Sequence, residues 1–201
     1  MIKSTDVFYS SDYTQLTRDE LIKKVQSQMS EIRFKHVLGV EEVAVELAQL
    51  YNVSIEAASI AALTHDYAKE RNPQEMQDLI ISESLDLDLL QYGSEIWHGP
   101  VGAILVKKEL RIEDEEIVNA IRYHTVGSPK MGLLEQIIYV ADYVEPSRDF
   151  PGVDEARKLA KSDLAQAVAF ETKHTLQYLI SKQREIYPKA IETYNTWVAK
   201  N

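Results

Sequence analysis

Apolar residues recur along this chain at steps of three and four, the spacing of one face of an α-helix. No stretch alternates apolar and polar residues between turn signals, as a half-buried strand would. Capping residues mark where the helices begin. Thr17 with Glu20 forms a capping box that opens a helix to about Ser30. A second helix runs from about Glu31 to Tyr51, with Ile32, Val37, Val40, Val43, Ala44, Leu47 and Leu50 as its inner stripe and Asn52 as its stop. Ser54 caps a third, IEAASIAALTHDYAKE. Its small side chains let neighbouring helices approach closely, which predicts a central place. Asn72 and Glu75, with Pro73 in the first turn, open a short helix to about Ser84. The segment LDLDLLQYGSE carries no clear signal. Pro100 is expected to start a helix to about Leu110, Asp114 another to about His124, and Met131 another to about Glu145, ended by Pro146. One long helix is expected from about Asp154 to Lys182, and Pro188 opens the last. The pattern predicts an all-α bundle of about eight or nine helices. With no repeat and no low-complexity linker, a single domain is expected over residues 1–201.

Composition narrows the function. Of 201 residues 45% are apolar and 27% charged, enough to form a core. No apolar run approaches the ~18 residues a membrane span needs. The N-terminal MIKSTDVFYSSDYTQ has no continuous apolar segment, so no secretory signal is expected. The sequence holds no cysteine, which removes disulfides and thiolate metal sites and makes the cytoplasm the expected location. Net charge is −10, so no broad positive field exists for a nucleic acid polymer or an anionic membrane. A small phosphorylated ligand stays open, because metal ions and a few local Lys and Arg can reverse the sign inside one cleft.

The histidines are the chemical signal. His36 continues the Ile32 and Val40 stripe, His124 follows Ile117, Ala120 and Ile121, and His65 follows an Ala-Ala-Leu-Thr run. Asp142 lies four residues after Ile138 on an apolar face. A carboxylate there is costly unless paired or bound to metal. Each such residue alone reads as a satisfied core polar group. Four His and two Asp on separate inner faces read better as one cluster. His36, His65, Asp66 and Asp142 would support one ion, with His98 and His124 on a second. Mixed nitrogen and oxygen donors favour transition metals over Mg²⁺ or Ca²⁺. His174, in KHTLQ with no partner motif, reads as structural or exposed.

The ordered set His36, THDYAKE, WHGPVGA, IRYHTVG and YVADYVEPSR resembles the HD-domain metal-dependent phosphohydrolase superfamily. The strings HDYAKE, HGPVGA, HTVG and ADYVEPSRDFPGV are similar to its YqeK branch. That resemblance implies symmetrical hydrolysis of diadenosine tetraphosphate to two ADP. It implies two divalent metal ions, iron foremost, with manganese, cobalt, nickel or zinc as alternatives. It places the phosphohydrolase core at about 31–153, with helical extensions at 1–30 and 154–201. A Gly-Tyr-Pro signature would indicate cyclic dinucleotides; His98 is followed instead by Gly99, Pro100 and Val101.

Without a Cys nucleophile or a Walker-type glycine loop, metal-activated water is the economical nucleophile, and Asp66 stands at its centre. Lys69, three residues after Asp66 and four after His65, is expected on the same helical face, turned toward phosphate. Arg33, one turn before His36, and Arg148, just past Pro146, are further basic candidates. Thr125 and Gly127 follow a ligand His and could bind phosphate or ribose. Two other readings remain: a nucleotidase of the same metals acting on nucleoside monophosphates or deoxynucleotides, separable by a substrate panel, and a non-catalytic nucleotide-binding module, which would show no turnover with any metal. The C-terminal Val168, Leu176, Leu179, Ile180, Ile186, Ile191 and Trp197 either cover the core or form a homodimer contact.

Overall fold

The computed structural model describes residues 2–200. They form ten α-helices and two short 3₁₀ turns, Ser4–Asp6 and Leu87–Gln91, with no strand among the described residues. Helix α1 (Arg18–Gln26) is opened by the expected box, Thr17 accepting from the Glu20 amide and Glu20 reaching back to the Thr17 amide. Ser30 caps α2 (Glu31–Leu50), and Ser54 caps α3 (Ile55–Thr64). Asn72 caps α4 (Pro73–Ser82), with the proline in its first turn, where no amide donor is needed. There follow α5 (Ser94–Leu110), α6 (Glu115–Tyr123), α7 (Leu133–Val144), α8 (Val153–Ser162), α9 (Leu164–Ser181) and α10 (Pro188–Trp197).

The Ala-rich α3 is central. Every residue from Ala57 to Thr64 is buried, and α3 packs on α2, α6 and α7 together. Its Ile60 and Leu63, and around it Leu47, Ile117, Ile121, Ile137 and Ile138, are fully enclosed. Truncating one such side chain to Ala costs ~2–5 kcal/mol. Helix α5 packs on α6, and α9 covers the far side of α7. On α9, Val168 and Leu176 join the buried set while Ile180 faces solvent.

Several sequence expectations are corrected. The inner stripe of α2 is buried only in its middle: Ile32 is 84% exposed and Leu50 49%. A 20-residue helix is ~30 Å long, whereas the ten-residue α3 beside it spans only ~15 Å, so the ends of α2 overhang. Pro100 does not start α5 but lies inside it. The helix begins at Ser94, and the Trp97 indole N–H, donating to the Leu89 carbonyl at 2.5 Å, anchors its first turn. The long C-terminal helix is two. Asp163 takes an extended conformation (φ −155°, ψ 99°), ends α8 and caps α9 by accepting from the Gln166 amide. That break brings the count to ten.

Candidate metal centre

Five segments converge on one point behind α3. Helices α3 and α6 end with His65 and His124 at their C-caps. His36 comes from the second turn of α2, His98 from α5 and Asp142 from the last turn of α7. Asp66 follows His65 directly. His36, His65, Asp66, His98 and His124 are buried, and Asp142 is partly open.

Asp66 stands between two groups of imidazoles. Its Oδ2 lies 3.5 Å from His65 Nε2 and 3.7 Å from His36 Nε2. Its Oδ1 lies 3.3 Å from His98 Nε2 and 3.6 Å from His124 Nε2. Asp142 Oδ1 is 3.1 Å from His36 Nε2. Three overlapping sets, His36–His65–Asp66, His65–His124–Asp142 and Asp66–His98–His124, each bring their donor atoms within 4.8 Å of one another.

The opposite ring nitrogens set the tautomers. His65 Nδ1 donates to the Ala62 carbonyl and His124 Nδ1 to the Ile121 carbonyl, both at 2.7 Å. His98 Nδ1 donates to the Ser94 carbonyl at 3.1 Å, and His36 Nδ1 to Glu145 Oε1 at 3.1 Å. A carbonyl can only accept, so these Nδ1 atoms carry the proton. In a neutral ring Nε2 is then a bare lone pair. Such lone pairs face the carboxylates and, at 2.9 Å between His98 and His124, each other. The buried Nε2 atoms of His36 and His65 have no hydrogen-bond partner. Bare nitrogens and carboxylate oxygens turned on one centre suit a divalent cation, as does the support of each Nδ1 behind them.

Charge is tuned accordingly. Burial would raise Asp66, but the facing His65, His124 and His98 hold its carboxyl well below the usual range. Asp142 is likewise lowered, burial being outweighed by His36 and His65. Burial would lower His36, yet Asp142 and Glu145 raise it. Burial and the neighbouring His124 push His98 well down.

The remaining predicted residues divide. Arg33 Nη1 donates to Asp66 Oδ2 at 2.9 Å, and Arg148 Nη2 to Asp142 Oδ1 at 2.8 Å, so both sit at the cluster's edge. The Thr125 hydroxyl is 3.1 Å from both His98 Nε2 and His124 Nε2. Lys69 is not on a continuation of α3, which stops at Thr64. Residues 65–70 form successive turns, with the Lys69 amide donating to the Asp66 carbonyl. Three-residue steps still align side chains in such turns. Lys69 Nζ is engaged by Glu95 Oε2 at 2.6 Å. Gly127 serves the turn instead. Its φ is +72°, its amide donates to the Tyr123 carbonyl, and a Cβ there would lie 2.7 Å from Thr193 Cγ2 on α10. His174 stacks on Phe170 at 3.9 Å, apart from the cluster.

Glu145 is the residue that sequence reasoning missed. It is buried, accepts from His36 Nδ1, and is itself held by the Ser147 amide and hydroxyl. Its one signal was its place between the Asp142 turn and Pro146, a position that reads equally well as a helix-ending surface acid.

A helical bundle whose His-Asp pair is met by His and Asp from other helices is the mark of one class of hydrolase, and the HD domain model matches residues 33–147. The chain belongs to the HD domain family. It is 47% identical to the symmetrical bis(5'-nucleosyl)-tetraphosphatase of Bacillus subtilis (strain 168), over 92% of this chain and 99% of that protein. It is 44% identical to the protein of the same description from Halalkalibacterium halodurans, over 90% and 96%. A crystal structure from Clostridium acetobutylicum, described as an HD superfamily hydrolase involved in NAD metabolism, superposes with a TM-score of 0.84. It is 38% identical and covers 92% of this chain and 99% of that one.

Proposed function

We propose that this protein is a symmetrical bis(5'-nucleosyl)-tetraphosphatase that adds water across the central phosphoanhydride of diadenosine tetraphosphate, giving two ADP. The observation that carries the reading is Asp66 set between two groups of imidazoles whose Nε2 atoms converge on it. The relatives that cover nearly the whole chain, and are described by that activity, support it.

His36, His65, Asp66 and Asp142 would hold one divalent ion, and Asp66, His98 and His124 a second; iron comes first, then manganese, cobalt, nickel or zinc. Such ions supply Lewis-acid stabilisation of phosphoryl charge and a water acidic enough to attack near neutral pH. The chain's own side chains do the rest. Arg33 and Arg148, each turned inward by a cluster carboxylate, and Lys69, paired with the exposed Glu95, offset the charge of four phosphates on a protein of net charge −10. Thr125 offers a hydroxyl beside His98 and His124 for a phosphate oxygen. Glu145 keeps the proton of His36 on Nδ1 and so keeps Nε2 free to ligate. Held in this way, the substrate presents its central bridge to in-line attack.

The test is direct. Purified protein given Fe²⁺ or Mn²⁺ and diadenosine tetraphosphate should release ADP as its one nucleotide product. ATP with AMP would overturn the symmetrical cut, and turnover of nucleoside monophosphates in its place would favour a nucleotidase.

A further inference from the structure

Helix α7 stops at Val144 because Pro146 cannot extend it, and this leaves the last carbonyls of the helix without backbone donors. The turn that follows carries two groups that act on the proposed metal ligands. Glu145 accepts from His36 Nδ1, and Arg148 donates to Asp142 through Nη2 and to its main-chain carbonyl through Nε. Something must hold this turn in place. On α8, beyond the stretch matched by the HD domain model, Arg157 does so. Its Nε donates to the Val144 carbonyl at 3.1 Å, and its Nη2 to the Glu145 carbonyl at 3.1 Å and the Arg148 carbonyl at 2.8 Å. Its Nη1 is held by Asp154 at 2.9 Å.

We infer that Arg157 is a positioning residue for the His36–Asp142 side of the centre, acting through the 144–148 turn. The inference rests on the proposed metal-dependent reading of that centre. The planar guanidinium fork is what makes the arrangement work. It reaches three carbonyls from one side chain in fixed directions, whereas a lysine ammonium on a flexible stem cannot satisfy all three with the same geometry. The position at the C-terminal end of α7 also places a positive charge against the negative end of the helix dipole. With the clamp removed, Glu145 and Arg148 lose their common anchor, so His36 and Asp142 loosen together. His98 and His124, held from Ser94 and Ile121, keep theirs. The effect of Arg157 is therefore lopsided: it reaches one half of the centre and spares the other.

The test compares the full-length wild type with Arg157→Lys, Arg157→Met and a control, Tyr51→Phe. The control removes the Tyr51 hydroxyl bond to the Ala160 carbonyl, and so weakens the docking of α8 without touching the turn. Three readouts are taken. Amide hydrogen exchange on metal-free protein should show the Ser147 and Arg148 amides losing protection in both Arg157 variants and keeping it in Tyr51→Phe. Metal per chain after loading and desalting should fall from two toward one in the Arg157 variants alone. Turnover of diadenosine tetraphosphate at saturating metal should fall in kcat by about 10–100-fold, the usual loss when an outer support of a ligand is removed. Unchanged exchange in the turn, or equal losses in Tyr51→Phe, overturns the inference while leaving a working wild type and its proposed function intact. A wild type that binds no metal overturns both.

Discussion

The two sides of the centre are built from the same residue type and held in different ways. His98 and His124 are sealed among α5 and α6, and their Nδ1 atoms are fastened to main-chain carbonyls of their own helices. His36 is fastened to a carboxylate from another element, Glu145, and faces a partly open Asp142. The outcome for charge is opposite. Burial and a neighbouring ring push His98 down, whereas two carboxylates overcome burial and raise His36. The closed side depends on helix geometry alone, and the open side on a turn that can be disturbed by one side chain. Among the described residues, the cationic groups that both touch a proposed ligand carboxylate and keep some exposure, Arg33 and Arg148, lie on the open side. We read it as the side from which phosphate arrives.

The largest expected effect erases the comparison altogether. Asp66 serves both sides, so Asp66→Ala should remove both metals and lower kcat/KM by at least about a thousandfold, ~4 kcal/mol of transition-state stabilisation. Elemental analysis beside steady-state kinetics checks it, and retention of two metals would break the idea of a shared carboxylate. Next, Glu145→Gln should cost about 10–100-fold in metal affinity on the open side. The amide keeps the shape but accepts from His36 without a full negative charge. Metal titration should show one weakened site and one unchanged. On the closed side Gly99 is the weak point. A Cβ there would stand 2.8 Å from the Arg122 carbonyl, where α5 crosses α6 beside His98 and His124. Gly99→Ala should lower stability by ~1–3 kcal/mol through overpacking. Thermal melts would record it, with Gly102→Ala, whose Cβ would find ordinary contacts, as the milder companion.

These contrasts also explain what could be read from the sequence. Four of the six candidate ligands were legible because a charged or ring-nitrogen side chain on an apolar helix face stands out against its neighbours, and Asp66 and His98 through the ordered motifs that hold them. Asp142 after Ile138 and His124 after Ile121 are such cases. Glu145 was not, because nothing in the order of residues says that a carboxylate before a proline folds back onto α2. The sequence extends the helix of Lys69 past Thr64 because capping signals mark starts better than stops, and the turn there has no glycine or proline to announce it. Ile32 and Leu50 fall on the inner stripe yet lie exposed, because periodicity reports a face but not how far the neighbouring helices extend along it. The break at Asp163 did carry a signal, an Asp three residues before Gln166, overridden by the unbroken apolar spacing on either side.

The smallest expected effect tests that last point. Asp163→Ala removes a helix cap far from the cluster and should cost ~0.5–2 kcal/mol of stability. Metal content and turnover should stay at wild-type values. A change in either would mean that the α8–α9 joint communicates with the open side through Arg157, and would sharpen the contrast between the two halves.

Three of the four imidazoles are aimed by peptide oxygens a turn earlier in their own helices. No single-base change in a gene can delete a peptide oxygen. Drift can therefore rewrite most of the side chains around His65, His98 and His124 while their aim survives, and lineages of this fold should differ chiefly in how they brace the one ring that lacks such an anchor.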